Sequence, residues 1–265
     1  MIYSLTDQPP KIENSILVNG VYYDVGIPIN KTDFEPFQRR KRADRKAIDK
    51  IDKMVIHHSG ADRQDPTIMH QVLLDRGLGV HFAGEDDGRF WQFNDCIDMC
   101  YHARGVNLAS VGVELCLFPL YDENPEYYNE NRRLKTGNLP HGVRYEYVHG
   151  QRYNVFKMPK PQWRALARVY AGVWLALGHQ RSDGFEGVFN VAPRFPRDKN
   201  MELPKKAIEF YSGHRGMMGH FHITENKIDP LGFPWLPFEN MVRGLYIEFR
   251  YNFTTQWIRY WKEKS

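Results

Sequence analysis

KMVIH, residues 53–57, is a short apolar run that ends in the polar cluster His57-His58-Ser59-Gly60. So short a run, broken by polar and glycine residues, reads as a buried β-strand rather than a helix. Its end is a rigid place from which to present a side chain. Downstream, Asp65 is placed to cap a helix with Pro66 at its first position. The apolar i, i+4 pairs Ile68/Val72 and Met69/Leu73 carry that helix on, and Gly77 and Gly79 stop it. Val80–Ala83, the turn Asp86-Asp87-Gly88 and Arg89–Phe93 form a strand–turn–strand hairpin by their turn chemistry. VGVELCL (Val111–Leu117) reads as another strand, central in the sheet.

Upstream of KMVIH, residues 1–48 read as an N-terminal extension. ILVNGVYYDV (Ile16–Val25) carries a hairpin signal in which Asn19-Gly20 supplies the residues that tolerate positive φ. Residues 49–265 then form the main domain. Residues 119–160, rich in Tyr, Asn, Arg, Pro and Gly, read as a long surface insertion. Trp163, Leu166, Ala167, Tyr170, Trp174 and Leu177 fall on one helical face, with Gly178 expected to end that helix. An irregular Pro-rich stretch, 183–212, leads to a His-rich segment at 213–230. The tail, 239–265, has helical spacing at Met241, Leu245 and Phe249. Mixed strands and helices with antiparallel signals give an α/β class: a mixed central β-sheet flanked by helices.

Composition bounds the function. The chain has 265 residues, 42% of them hydrophobic, enough for one large domain with decorations. Charged residues make up 26%, the mean hydropathy is −0.59, and no apolar run is long enough to span a bilayer. The N-terminus MIYSLTDQPPKIENS has no basic start or apolar stretch, so the protein is expected to be made in the cytoplasm without a standard signal peptide. The net charge of +4 is mild. The basic run Arg39–Arg42 reads as a solvated face, no Gly-rich phosphate cradle is visible, and no nucleic-acid partner is expected. A metal-dependent nuclease is disfavoured on the same grounds. Cys96, Cys100 and Cys116 form no disulfide framework and read as small buried hydrophobes.

The chemistry lies in two places. His57 alone would more often be structural than a ligand. GHFHITENKIDP (Gly219–Pro230), however, offers His220, Lys227 and Asp229 within a few residues. A histidine from one strand with a histidine and a carboxylate from a later loop makes a three-ligand zinc site, its fourth position left to water. Glu114 sits inside an apolar strand, where a charge is costly without a purpose or a partner. A carboxylate beside such water can move its proton, and a lysine can stabilise an oxyanion.

In order along the chain, VIHHS (55–59), VHFAGEDDGRFWQF (80–93), YHARGVN (101–107), SVGVEL (110–115) and GHFHITENKIDP (219–230) resemble the landmarks of the zinc-dependent N-acetylmuramoyl-L-alanine amidases. That family includes phage lysozyme-type amidases, wall-recycling amidases and peptidoglycan-recognition proteins. The resemblance spans roughly residues 50–240. It implies Zn2+ held by His57, His220 and Asp229, Glu114 as general base and acid, and Lys227 stabilising the transition state. It also implies His102 and Asn107 as contacts to a muramyl-peptide. Trp235, just after the ligand segment, reads as either core or a wall of the substrate groove. Among His214, His220 and His222 the Gly-His-x-x-Ile frame favours His220. Some phage members carry a tyrosine where this chain has Val80; those lack the strand glutamate, so this chain resembles the glutamate-using branch. The implied activity is hydrolysis of the muramoyl–L-alanine amide bond of peptidoglycan by a monomeric phage-type or bacterial lytic enzyme at the cell wall. The alternative is a non-catalytic peptidoglycan-binding module. His58 is expected on the opposite strand face from His57, His81 in the core, and His70, His141, His149 and His179 on surfaces or loops.

Overall fold

Parallel strand pairing organises the domain. The structure, a computed structural model, describes residues 12–31, 47–60, 65–129, 142–180, 206–208 and 211–264, of which 252–264 are described as helix backbone alone. In chain order the strands are β1 (Ser15–Val18), β2 (Val21–Asp24), β3 (Ile29–Lys31), β4 (Lys53–His58), β5 (Phe82–Gly84), β6 (Phe90–Gln92), β7 (Ser110–Leu115), β8 (Val143–Val148), β9 (Gln151–Phe156) and β10 (Gly216–Gly219). The helices are α1 (Pro66–Asp75), α2 (Lys160–Gln180) and α3 (Trp235–Lys264). The central sheet runs β10-β4-β7-β5-β6-β3, with β1-β2 and β8-β9 as separate hairpins. β10, β4, β7 and β5 pair in parallel, β5 and β6 antiparallel, and β3 and β6 in parallel. The basic run Arg39–Arg42, His141 and most of 183–212 lie outside the described residues.

Alternation along the strands divides the sheet into two unlike faces. Met54 and Ile56 of β4, Val111, Val113 and Leu115 of β7 and Met217 of β10 enter the main core, which α2 fills with Leu166, Tyr170, Trp174 and Leu177. Val55 and Met218 turn the other way and pack with Ala103, Val106 and Ile223. His57 and Glu114 share that second face, which is therefore where polar groups can gather.

The hairpin expected at Asn19-Gly20 is present, with φ of 51° and 76° at the two turn residues and the register Val18↔Val21. Ile16, Val18, Val25 and Ile29 are buried in the same core as α2. The carboxylate of Asp95 accepts hydrogen bonds from the Asn19 and Gly20 amides. Asp65 caps α1, its carboxylate accepting from the Thr67 amide at 2.8 Å. At the far end Gly77 N and Leu78 N donate to Leu74 O and Leu73 O, closing the helix.

Two expectations need correcting. Gly178 does not end α2, which runs on to Gln180. A glycine costs a helix only about 1 kcal/mol, and tertiary bonds offset it: Gln180 Nε2 donates to Val18 O at 2.9 Å and to Tyr23 Oη at 2.8 Å. Residues 119–160 are not simply surface: Tyr127, Tyr128, Val148, Val155 and Phe156 are buried in the main core. The three cysteines are buried and are not joined by disulfides. Among the described residues, no helix is long and apolar enough to cross a membrane.

His70, expected near the surface, is buried on α1 and stacks on Phe93 with ring centroids 4.0 Å apart. Burial lowers its imidazole from 6.5 to about 4. The unfolded chain therefore binds more protons than the folded one between those two values, so stability rises with pH across that window and is lost as pH falls through it. In the metal-free protein, thermal unfolding should show Tm falling from pH 6.5 toward 4, and His70→Phe should flatten that slope; an unchanged slope would assign the acid sensitivity to other groups.

Candidate metal centre and catalytic cleft

Strand register builds the site. β4 and β7 pair with His57 opposite Glu114, and β10 pairs with β4 so that Gly219 stands opposite Ile56. His220, the next residue after β10, is thereby delivered beside His57 at the C-terminal ends of three adjacent parallel strands, the usual place for a site in an α/β sheet. The loop that follows returns Asp229 to the same point, where its carbonyl accepts a hydrogen bond from Phe221 N.

His57, His220 and Asp229 converge and could hold a metal ion. His57 Nδ1 lies 3.0 Å from His220 Nδ1 and 3.0 Å from Asp229 Oδ2, and His220 Nδ1 lies 3.1 Å from the same carboxylate oxygen. These edges are near the ~3.3 Å between ligand atoms of a tetrahedral zinc with bonds of about 2.0–2.1 Å. Two imidazoles and one carboxylate are also a donor set zinc accepts. Burial and the neighbouring His220 lower His57 to about 4, so its ring is neutral and its lone pair free near pH 7. The two imidazoles beside it hold Asp229 well below the usual carboxylate range, against the effect of burial.

The three residues sit in a cleft of about 350 Å³ that Glu114 and Lys227 also line. Glu114 is 8% exposed. Burial and the charge of Asp229 push its carboxyl well above its ordinary value of 4.5, and the charges of Lys227 and Arg76 oppose that rise. One wall comes from α1, through Ile68, Met69, Val72 and Leu73, and from Arg76 just past its end. Ile68 and Val72, an apolar i, i+4 pair, are 37% and 49% exposed and present an apolar surface to the cleft.

The sequence profile of the N-acetylmuramoyl-L-alanine amidase family matches residues 47–231, more than two thirds of the chain. The chain belongs to this family. As an amidase it hydrolyses the bond that joins N-acetylmuramic acid to L-alanine in peptidoglycan. No curated protein sequence matches it significantly. Among solved structures it is similar to the endolysin N-acetylmuramoyl-L-alanine amidase LysCS from Clostridium intestinale URNW, at 12% identity, covering 80% of this chain and 93% of that one, with a TM-score of 0.45. It is also similar to the Staphylococcus aureus hydrolase AmiA in complex with its ligand, at 10% identity over 83% and 82% of the two chains, TM-score 0.46. AmiD of E. coli, in complex with anhydro-N-acetylmuramic acid-L-Ala-D-gamma-Glu-L-Lys, shares 15% identity over 70% and 75%, TM-score 0.30.

The remaining candidates of this amidase fall in different places. His102 lines the cleft and touches His57. Asn107 serves the loop: its Oδ1 accepts from the amides of His102 and Ala103 at 3.1 and 2.8 Å. Trp235 is not among the residues lining the cleft; it is 6% exposed and packs edge-on against Phe221 and His222, behind the ligand segment. His222 Nδ1 accepts from Gly219 N at 2.9 Å, and His214 Nε2 lies 3.2 Å from Met217 O, so neither joins the cluster. His58, expected on the opposite face from His57, lines the same cleft, because it ends its strand.

The hairpin β8–β9 braces the loop that carries Lys227 and Asp229. His149, at its tip, places Nε2 2.8 Å from Lys227 O. Glu146, 8% exposed, pairs with Arg144 and accepts from Gly232 N at 3.1 Å. Arg144 Nη2 donates to Phe233 O at 2.8 Å, and Met158 N donates to Gly232 O. Gly232 has φ of +71°, and a Cβ there would lie 2.2 Å from Phe156 O, so only glycine allows this approach. Removing the Glu146 carboxylate leaves Gly232 N without its acceptor and Arg144 without its ion-pair partner. Glu146→Ala should cost about 2 kcal/mol in urea unfolding and weaken metal binding; full retention of both would show that the brace is dispensable.

Proposed function

We propose that this amidase is zinc-dependent, with His57, His220 and Asp229 as its ligands, Glu114 as the proton shuttle and Lys227 as the stabiliser of the oxyanion. The observation that carries the reading is the convergence of two imidazole nitrogens and one carboxylate oxygen in a cleft that a buried glutamate and a lysine also line. Zinc, when bound there, supplies Lewis-acid polarisation of the carbonyl and lowers the pKa of water to about 7.

The side chains divide the remaining work. Glu114 takes a proton from the attacking water as its oxygen adds to the muramoyl carbonyl carbon. It returns that proton to the alanine nitrogen as the C–N bond breaks, giving a free carboxylate and a free amine. A shuttle must both accept and give, and the raised carboxyl of Glu114 moves it toward the range where both are efficient. Lys227, on an exposed turn of the ligand loop, brings a positive charge to the oxygen on which negative charge develops. The apolar wall of α1 fits the uncharged part of a glycopeptide, and Arg76 at its end fits a carboxylate of the stem peptide. The place of action is the cell wall.

Incubation of the zinc-loaded protein with purified sacculi, followed by mass spectrometry, should release stem peptides bearing a free N-terminal alanine. Glu114→Gln should lower kcat by about 10²–10⁴-fold while the zinc content stays stoichiometric. Lys227→Ala should lower kcat by about 10²–10³-fold. Chelation should abolish turnover and added zinc restore it. Wall binding by zinc-loaded protein without any amide cleavage would make this chain a binding module instead.

A further inference from the structure

We propose that His102 is a positioning residue for the metal centre, fixing the tautomer and tilt of His57 through a hydrogen-bond chain anchored on the Val106 carbonyl; this rests on the zinc reading above. Family resemblance puts His102 on the substrate side. Its contacts point the other way along the ring, into the protein.

The chain has four members. His57 Nε2 lies 3.1 Å from His102 Nδ1. His102 Nε2 lies 3.1 Å from Ser110 Oγ. Ser110 Oγ donates to Val106 O at 2.7 Å. A backbone carbonyl can only accept, so the hydroxyl proton of Ser110 is committed to it and the serine lone pair is left for His102. His102 Nε2 therefore carries a proton and its Nδ1 a lone pair. That lone pair requires a proton on His57 Nε2, which leaves the His57 Nδ1 lone pair facing the point on which His220 Nδ1 and Asp229 Oδ2, each 3.0 Å from it, also converge. A peptide carbonyl on a neighbouring loop thus sets which nitrogen of the proposed ligand is available. A metal-ligating histidine commonly donates its second ring N–H in this way, and losing the acceptor costs metal affinity.

The surroundings hold the His102 ring where the chain needs it. It meets His57 edge-on, with centroids 5.3 Å apart and planes at 87°. The face of β7 beneath it is cleared at Gly112, where an added Cβ would stand 2.5 Å from His102 Cγ. Asn107 grips the His102 backbone through its amide. His81 packs edge-on at 6.0 Å and is itself tied down, its Nδ1 accepting from Gly112 N and its Nε2 lying 2.9 Å from Asp98 O. Ser110 is wholly buried, so water does not compete for its hydroxyl.

The test reads zinc binding rather than turnover. Competition against a chromogenic chelator should show His102→Leu binding zinc about 10–100-fold more weakly than wild type. Ser110→Ala should lose less. His102→Asn, whose Oδ1 stands near the position of the imidazole Nδ1 and can accept from His57, should recover most of the loss. Long-range 1H–15N NMR of the zinc-loaded wild type, which needs no variant to fold, should find His57 and His102 both protonated on Nε2. At limiting zinc, the activity loss of His102→Leu should track its zinc occupancy and fall mainly on kcat rather than on KM. Zinc binding as tight as wild type in His102→Leu, a His102 protonated on Nδ1, or a loss appearing in KM alone would overturn the inference while leaving the zinc reading intact. Absence of zinc binding by wild type would overturn the zinc reading and this inference with it.

Discussion

Parallel pairing of β10, β4 and β7 is the constraint on which the rest depends. Registers that place Gly219 opposite Ile56 and His57 opposite Glu114 put two imidazoles, His57 and His220, and the carboxyl group of Glu114 from distant parts of the sequence at one sheet edge. Because side chains alternate along a strand, a shift of one residue in β4 would exchange His57 for Ile56 on the polar face and leave an imidazole in the main core. The apolar partners of α2 therefore do more than stabilise the fold. By holding Met54, Ile56, Val111 and Val113 in the core, they fix which face His57 and Glu114 occupy.

That arrangement also accounts for the electrostatics of the cleft. A carboxylate buried among strands is costly unless something compensates it. Two carboxyl groups share the site, and the environment drives them apart: the adjacent imidazoles hold Asp229 ionised, whereas Glu114, with its burial and the nearby negative charge, is pushed up. Environments that separate the acidities of paired groups are the means by which one site performs both acid and base chemistry.

Much of this was legible in sequence where the signal is local. The strand read at 53–57, the helix start at Asp65-Pro66 and the Asn19-Gly20 turn each depend on a few neighbouring residues, and the structure contains all three, the strand running one residue further. Reading failed where distant contacts decide. Gly178 lies inside α2 because Gln180 and His179 are held by Tyr23, more than 150 residues away. β3 is three residues long and, among the described residues, lies at the sheet edge paired with β6, so no period announces it. The i, i+4 pattern of Ile68 and Val72 says that they are apolar, not whether they meet the core or the cleft. The gathering of His57, His220 and Asp229 could be anticipated as a set of residue types, because a ligand segment of such composition is uncommon. The hydrogen bonds of His102 could not, since they rest on a loop conformation that sets Ser110 and Val106 behind the ring.

The bracing hairpin bears on how this enzyme could be made smaller. Segments with mixed composition between well-defined elements are natural targets for trimming, and 119–160 has that composition. Yet β8–β9 supplies the acceptor for Gly232 N and the donor for Phe233 O on the loop that also bears Asp229. A shortened chain could retain every side chain of the cleft and still hold them loosely, its carboxylate wandering by the fraction of an ångström that separates a tight metal site from a weak one. Miniaturisation would therefore have to rebuild that support from another element, not only close the gap in the chain.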